Sequence, residues 1–398
     1  MILHGDCLDR LRDMADNSVD SLVTDPPAGI SFMGKSWDGD RGGRDQWIAW
    51  MRDVMTETLR VLKPGAHGLV WALPRTSHWT AMALEDAGFE IRDCVYHLFG
   101  TGFPKSLDVS KAIDKATGAE RTESTWIDAY HDGGNREISP AKGYEPGTDS
   151  STMGNGNLRT LPATDAAKQW QGWGTALKPS VECWWLVRKP CSEKTVAANV
   201  LKWGTGALNI DASRIGTDEQ LSGSGKMMLQ YGGQNSRPFQ EDPNHGGYTP
   251  NTQGRFPSHL LLDEEAAAAL DDQTGELGVS RGGNSKAQQK DIYGKFSAPK
   301  DGKDPGFGDS GGASRFFYVA KASKKDKGEG NTHPTVKNTA LMEYLIRMVT
   351  PPGGTVLDCF TGSGSTGVAA KRLGLSFVGI EQDADFVAIA EARLDAVG

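Results

Sequence analysis

The 398-residue sequence has little cysteine, no long apolar run and no excess of positive charge. Its five cysteines, Cys7, Cys94, Cys183, Cys191 and Cys359, are scattered without a C-x-x-C pair, which excludes a zinc knuckle or a disulfide framework and fits reduced thiols. The histidines show no metal-ligand spacing, so no metal is expected. No stretch approaches the roughly 18 apolar residues of a membrane span. The start, MILHGDCLDR, lacks a basic segment followed by an apolar one, so the expected location is cytoplasmic, away from membranes. Lys plus Arg number 43 against 51 Asp plus Glu, and the net charge of −8 excludes a uniformly basic coat for a polyanion. Only local basic faces remain. Tryptophan stops at Trp203, whereas residues 215–315 hold 18 of the 50 glycines, so a boundary is expected near Ile215.

Glycine and proline together make about 17% of the chain, below the level of a low-complexity disordered sequence, which points to long ordered loops. Between the loops, short apolar runs alternate with helical patterns. Ser21 to Thr24, Gly68 to Ala72, Phe89 to His97, Val181 to Val187, Thr355 to Asp358 and Ser376 to Ile380 read as strands. Trp47, Ile48, Met51, Val54, Met55, Leu59 and Leu62 recur at helical spacing up to Lys63-Pro64-Gly65, read as a helix stop. Leu341 to Val349, ended by Pro351-Pro352, and Phe386 to Leu394 read as further helices. Such alternation predicts an α/β fold with a mostly parallel sheet. Residues 119–178 are polar and turn-rich and read as an insertion.

Near the end, TVLDCFTGSGSTGVAAKR sets Gly362-x-Gly364-x-x-Gly367 between a strand and a helix, with Asp358 and Glu381 at the ends of two successive strands. Such a turn lets backbone approach a nucleotide, and the second acid can accept hydrogen bonds from ribose hydroxyls. Only about 35 residues follow Gly362, so most of the sheet must come from upstream, in permuted chain order. That order argues against an NAD-dependent oxidoreductase, the competing nucleotide-binding reading. At the other end of the chain, VDSLVTDPPAGISFMGKSWD places Asp25 directly after an apolar strand, where Pro26-Pro27 bars a helix and further ladder bonds. Asp25 and the Pro26 carbonyl then form two acceptors at a strand's carboxyl end, suited to an exocyclic amine with two N–H donors.

Taken as a pair, Asp25-Pro26-Pro27 and Phe360-Thr361-Gly362-Ser363-Gly364 resemble the amino-group DNA methyltransferases, in the motif order of their permuted β-group. The segments FGTGFPKSLDVSKAID, GTALKPSVECWWLVRKP and RFFYVAKASKKDK are similar to those of phage and prophage adenine-N6 methylases. The resemblance implies a Rossmann-like, S-adenosylmethionine-dependent methyltransferase sheet with a loop-rich target-recognition region. Its implied substrate is double-stranded DNA, at adenine N6 of a flipped base, with cytosine N4 and a noncatalytic DNA-binding relative as alternatives. A restriction-modification role and a homodimer are compatible with it. Asp25, Pro26 and Pro27 would be catalytic. The cofactor would lie against Asp6, Cys7, Asp358, Phe360, Gly362, Ser363, Gly364 and Glu381, and against His333, Thr335 and Lys337 of HPTVK, where Asn338 stands in place of the family's proline. Ala28 stands where the family carries an aromatic after Pro-Pro, leaving Phe32 and Trp37 as candidates to stack on the base.

Phosphate contacts must come from local clusters. Residues 281–303 and 315–337 each carry a net +4, which nominates Lys286, Lys290, Lys295, Lys324 and Lys325. The expected organisation is a catalytic half at 1–118, the insertion at 119–178, the rest of the catalytic half at 179–214, a glycine-rich recognition region at 215–314 and a cofactor half at 315–398.

Overall fold

The computed structural model describes residues 1–102, 106–122, 124–128, 137–138, 156–216, 254–276, 310–321 and 331–397. They fall into two compact units, one of residues 1–100 with 181–398 and one of residues 101–180.

The larger unit begins with β1 (Ile2–His4), α1 (Cys7–Arg12), β2 (Val19–Thr24), α2 (Arg44–Val61), β3 (Leu62–Ala72), α3 (Ser77–Asp86) and β4 (Glu90–Leu98). All six residues of β2 are buried, as expected of a strand covered on both faces. Helix α2 turns Trp47, Met51, Val54, Met55, Thr58 and Val61 inward at three- and four-residue spacing.

Helix α2 stops at Val61, as Lys63-Pro64-Gly65 implied, but the strand read from Gly68 begins already at Leu62, so all three residues lie inside β3. Proline pushes its predecessor to extended backbone, so the chain leaves the helix straight into the strand. The missing N–H falls where β3 skips register against β2, between the pairs Val19–Leu62 and Ser21–His67. The Pro64 carbonyl accepts from Asn199 Nδ2 (2.8 Å) and Thr205 Oγ1 (2.7 Å), and Gly65 at φ 82° admits the Asn199 amide where a Cβ would clash.

The smaller unit holds α4 (Val109–Thr117), strands β5 (Ser124–Asp128), β6 (Glu137–Ile138) and β7 (Gly156–Thr160) in an antiparallel sheet of order β6-β5-β7, and α5 (Asp165–Gln169). Buried Asp114 ties it together by accepting from Arg121 Nε (2.6 Å), Ala163 N (3.0 Å) and Thr164 Oγ1 (2.8 Å).

The larger unit resumes with β8 (Val181–Arg188), α6 (Val196–Trp203), β9 (Leu260–Asp263), α7 (Glu264–Thr274), β10 (Tyr318–Ala320), α8 (Thr339–Val349), β11 (Thr355–Asp358), α9 (Ser365–Arg372), β12 (Ser376–Glu381) and α10 (Ala384–Asp395). Its described strands form one sheet of order β1-β12-β11-β2-β3-β8-β4-β9-β10. Neighbours are parallel except at β8, which runs antiparallel to both β3 and β4, so the expected mostly parallel sheet is present. Strand β9 and helix α7 lie within 215–314, a stretch expected to be loop-rich, and β9 pairs with β4. One core packs α1, α2 and α3 on one face of the sheet, with Leu11, Met51 and Leu84 fully buried. A second packs α8 and α9 on the other, around Tyr344, Leu345 and Ala369.

Candidate functional site

From β11 the sheet runs through β12 to β1 in one direction and through β2 to β3 in the other. Parallel neighbours β2 and β11 therefore end side by side at a topological switch point, where open α/β sheets form their ligand crevice. Two side chains join these ends. Thr24 Oγ1 donates to Asp358 Oδ1 at 2.6 Å and Thr366 Oγ1 donates to Oδ2 at 2.6 Å. The Phe360 N–H adds a third bond to Asp358 at 3.1 Å. Burial pushes the Asp358 carboxyl up to about 6 against the pull of those donors. Both its oxygens are thus taken by the protein, and the residue shapes the turn between β11 and α9.

Gly362 adopts φ 53° and its N–H donates to Glu381 Oε2 at 2.8 Å. A Cβ there would stand 2.8 Å from His333 Nε2, so glycine lets the 331–338 segment lie over the turn. Gly364, at φ 81°, has the same relation to Ala390 of α10, 2.9 Å from where its Cβ would be. Arg393 holds Ser363 in place through its carbonyl and its Oγ. Glu381 ends β12 opposite His4, so Asp6 at the start of α1 comes to the same rim. Asp6 is exposed and caps α1 by accepting from Leu8 N at 2.9 Å. Cys7 is buried, and burial with the neighbouring Asp6 pushes its thiol up to about 12, which leaves it a neutral packing group.

His333 accepts from the Thr335 N–H through Nδ1 at 3.3 Å and packs edge-on against Phe386 at 4.6 Å. Burial lowers its pKa, so the ring stays neutral near pH 7. Thr335 itself is exposed. Asn338 caps α8, accepting from Ala340 N (2.8 Å) and Leu341 N (3.2 Å). Lys337 reaches away to the Asp-Pro-Pro loop. Its Nζ lies 3.3 Å from Asp25 Oδ2, 3.3 Å from Glu182 Oε1 and 4.2 Å from the centre of the Trp71 ring.

Asp25 follows β2 directly, and Pro26 lies beyond the last ladder residue, Thr24. Burial pushes the Asp25 carboxyl up to about 6; Lys337 pulls it down, while Glu182 and Asp358 push it further up. Burial works against ionised Glu182 as well, but Lys337 and His97 outweigh it and hold that carboxyl at about 2.

The loop after Pro27 closes on Asp38, only 1% exposed, which accepts from Ala28 N (2.5 Å), Gly29 N (3.2 Å) and Phe32 N (2.8 Å). Gly29, at φ 71°, sits against Trp47 and Trp79 with no room for a Cβ. Phe32 and Trp37 are both half-buried, each on a short 3₁₀ turn of this loop, Phe32–Gly34 and Ser36–Asp38. Beside the glycine turn, Phe360 packs on Trp50 at 5.8 Å, and the Arg41 guanidinium covers the Trp50 ring at 3.7 Å.

The structure thus brings Asp25, Lys337, Asp358, the glycine turn and Glu381 to the ends of adjacent strands. Thr24, Asp38, Glu182 and Thr366 were not singled out from sequence. Glu182 had a legible signal, a charge in the apolar run VECWWLV; Asp38 had none, since SWDGD reads as a solvated turn. Lys286, Lys290, Lys295, Lys324 and Lys325 lie outside the described residues. No helix among the described residues is long and apolar enough to cross a membrane.

A switch-point crevice with an acidic rim and a glycine turn places the larger unit among the open α/β sheets, whose ligands bind at such a point. Residues 258–392 match the model of the DNA methylase family. The Type II methyltransferase M2.DpnII of Streptococcus pneumoniae is 42% identical over 79 residues, which are 20% of this chain and 30% of the relative. M2.LlaDCHI of Lactococcus lactis subsp. cremoris is 38% identical over 78 residues, 20% of this chain and 29% of that one. The chain therefore spans less than a third of the length of these curated relatives. Among solved structures, the M1.HpyAVI-SAM complex aligns over 99% of this chain and 98% of its own at 14% identity, with a TM-score of 0.42. A likeness of that size says nothing about activity.

Proposed function

We propose that the protein is an S-adenosylmethionine-dependent DNA methyltransferase that modifies an exocyclic amine of a flipped base, adenine N6 in the first instance. The observation that carries this reading is the Thr24–Asp358 hydrogen bond, which locks the Asp25-Pro26 acceptor pair beside the Gly362 to Glu381 turn. The donor set suits the cofactor: Glu381 and Asp6 offer carboxylate oxygens to ribose hydroxyls and to a cationic ligand, and Phe360 offers an apolar ring. When bound, S-adenosylmethionine supplies an electrophilic methyl on a sulfonium.

Every other requirement falls on this chain. The amine nitrogen is a poor nucleophile because its lone pair is delocalised into the base. Asp25 and the Pro26 carbonyl accept its N–H groups, draw the nitrogen towards tetrahedral geometry and turn the lone pair out of the ring plane. The proton lost after transfer leaves by way of Asp25 to solvent. Phe32 and Trp37 stand on a loop braced by Asp38 and would stack on the displaced base in place of the aromatic absent at Ala28, offsetting a few kcal/mol of unstacking. Lysines of the 281–303 and 315–337 runs would hold the phosphates of double-stranded DNA. The setting that fits is a cytoplasmic, phage-type enzyme of restriction-modification kind, with a homodimer compatible with it.

The test is transfer of tritiated methyl to duplex DNA, followed by digestion and nucleoside identification. Label in N6-methyladenine is expected, and Asp25→Ala should lower the rate by about 10²–10³-fold while S-adenosylmethionine still binds. Label in N4-methylcytosine would move the target, and labelled DNA with the Asp25→Ala protein at full rate would remove Asp25 from the chemistry.

A further inference from the structure

Glu182 lies on β8, opposite His97 of β4 in the register, and it is a charged residue beside the apolar run Cys183 to Val187; the strand's other charge, Arg188, lies at its far end on Glu90. Ionised groups in such a place cost several kcal/mol each unless paired, and a single Lys337–Asp25 pair would already be neutral. Adding Glu182 sets one ammonium between two carboxyls. The geometry shows how that ammonium is divided: one contact to Asp25 Oδ2, a hydrogen bond to Glu182 Oε1, and the face of Trp71. On its far side, Glu182 Oε2 is 3.6 Å from His97 Nδ1. The remaining charge that bears on Asp25 is Asp358 of β11, whose oxygens are tied to Thr24 and Thr366.

We propose that Glu182 is a positioning residue for Asp25, acting through Lys337: it draws off part of the ammonium so that Asp25 Oδ1 stays available to a substrate N–H. A lysine given to Asp25 alone could swing to bridge both its oxygens and compete with the amine. Held between Asp25, Glu182 and Trp71, it orients one oxygen and leaves the other. The inference deepens the methyltransferase reading and rests on it for the identity of the substrate, but the arrangement itself can be tested without DNA.

The experiment follows the Asp25 carboxyl by carbon-13 NMR in full-length protein labelled at aspartate Cγ, with Asp25→Asn to assign the resonance. Wild-type Asp25 should titrate at about 6. Glu182→Gln leaves the whole ammonium to Asp25 and should move the midpoint down by roughly one pH unit; Lys337→Gln should move it up by a similar amount. Glu182→Asp and Lys337→Arg keep the charges and should stay near wild type. In DNA methylation assays the acid limb of the rate profile should move in the same two directions. A purely structural role would not give opposite signs. Midpoints that do not move, or that move together, overturn the proposal, and if Lys337→Gln fails to fold the Glu182→Gln arm decides alone. Opposite shifts in a protein that transfers no methyl would leave the Glu182 arrangement standing and reject the methyltransferase reading; methylation with unmoved midpoints would do the reverse.

Discussion

The residue with two duties at the rim is Glu381, whose Oε2 accepts from Gly362 N (2.8 Å) and Oε1 from Asp383 N (2.9 Å); unlike Asp358 it is only half-buried, and each oxygen has a second lone pair. Glutamine at this position keeps the size but replaces one acceptor with a donor. Glu381→Gln should therefore weaken S-adenosylmethionine binding by about 10–100-fold, the range of one or two hydrogen bonds to a charged group, measured by calorimetry. Unchanged affinity would take Glu381 out of the ribose contact. Asp25, Glu381 and the three glycines were legible because their motifs sit at strand ends, where composition changes abruptly from apolar to turn-forming. The role of Asp358 was not, because whether a carboxylate faces a ligand or two threonines depends on Thr24 and Thr366, distant in sequence from each other. Lys337 shows the same limit: no local pattern tells that it crosses to Asp25 and Glu182.

The loop from Pro26 to Gly39 behaves as one element because a single buried carboxylate closes it. Asp38→Ala would strand the N–H groups of Ala28, Gly29 and Phe32, and leaving such donors unsatisfied should cost about 2–4 kcal/mol in all. A lowered midpoint of thermal unfolding, by several degrees, and a larger loss of DNA methylation than of cofactor binding are expected. Equal stability and activity would show that the loop holds its shape without Asp38. Among the regular elements, six strands and the helices α2, α8 and α10 were readable from apolar periodicity. Strands β9 and β10 were not: β10 has only three residues, and β9, though as long as β11, lies in the glycine-rich 215–314 stretch without the flanking glycine turn that marked β11. The start of β3 was misread because Pro64 ordinarily signals a break, whereas here it sits at a register skip and gives only its carbonyl.

Across the whole molecule the net charge of −8 sets the condition for any polyanion: affinity must come from local clusters and must fall with salt. Charge reversal at Lys324 and Lys325 should lower DNA affinity and reduce the slope of log affinity against log salt by about 2, at roughly 0.9 per phosphate contact. An unchanged slope would place the phosphate contacts elsewhere. The fold explains how an acidic chain can serve such a substrate, since its carboxylates Glu381, Asp6 and Asp25 gather at one crevice, where a sulfonium and an amine would each meet a complementary group. That crevice exists because β2 and β11 are parallel neighbours, which unites the Asp-Pro-Pro loop with a glycine turn more than 330 residues away. The measurement that tests this union most directly is methyl transfer from tritiated S-adenosylmethionine to duplex DNA by wild type and by Asp25→Ala. Label recovered as N6-methyladenine with wild type and lost with Asp25→Ala is the result expected; cofactor bound by both proteins, with no label in any DNA nucleoside, would contradict it.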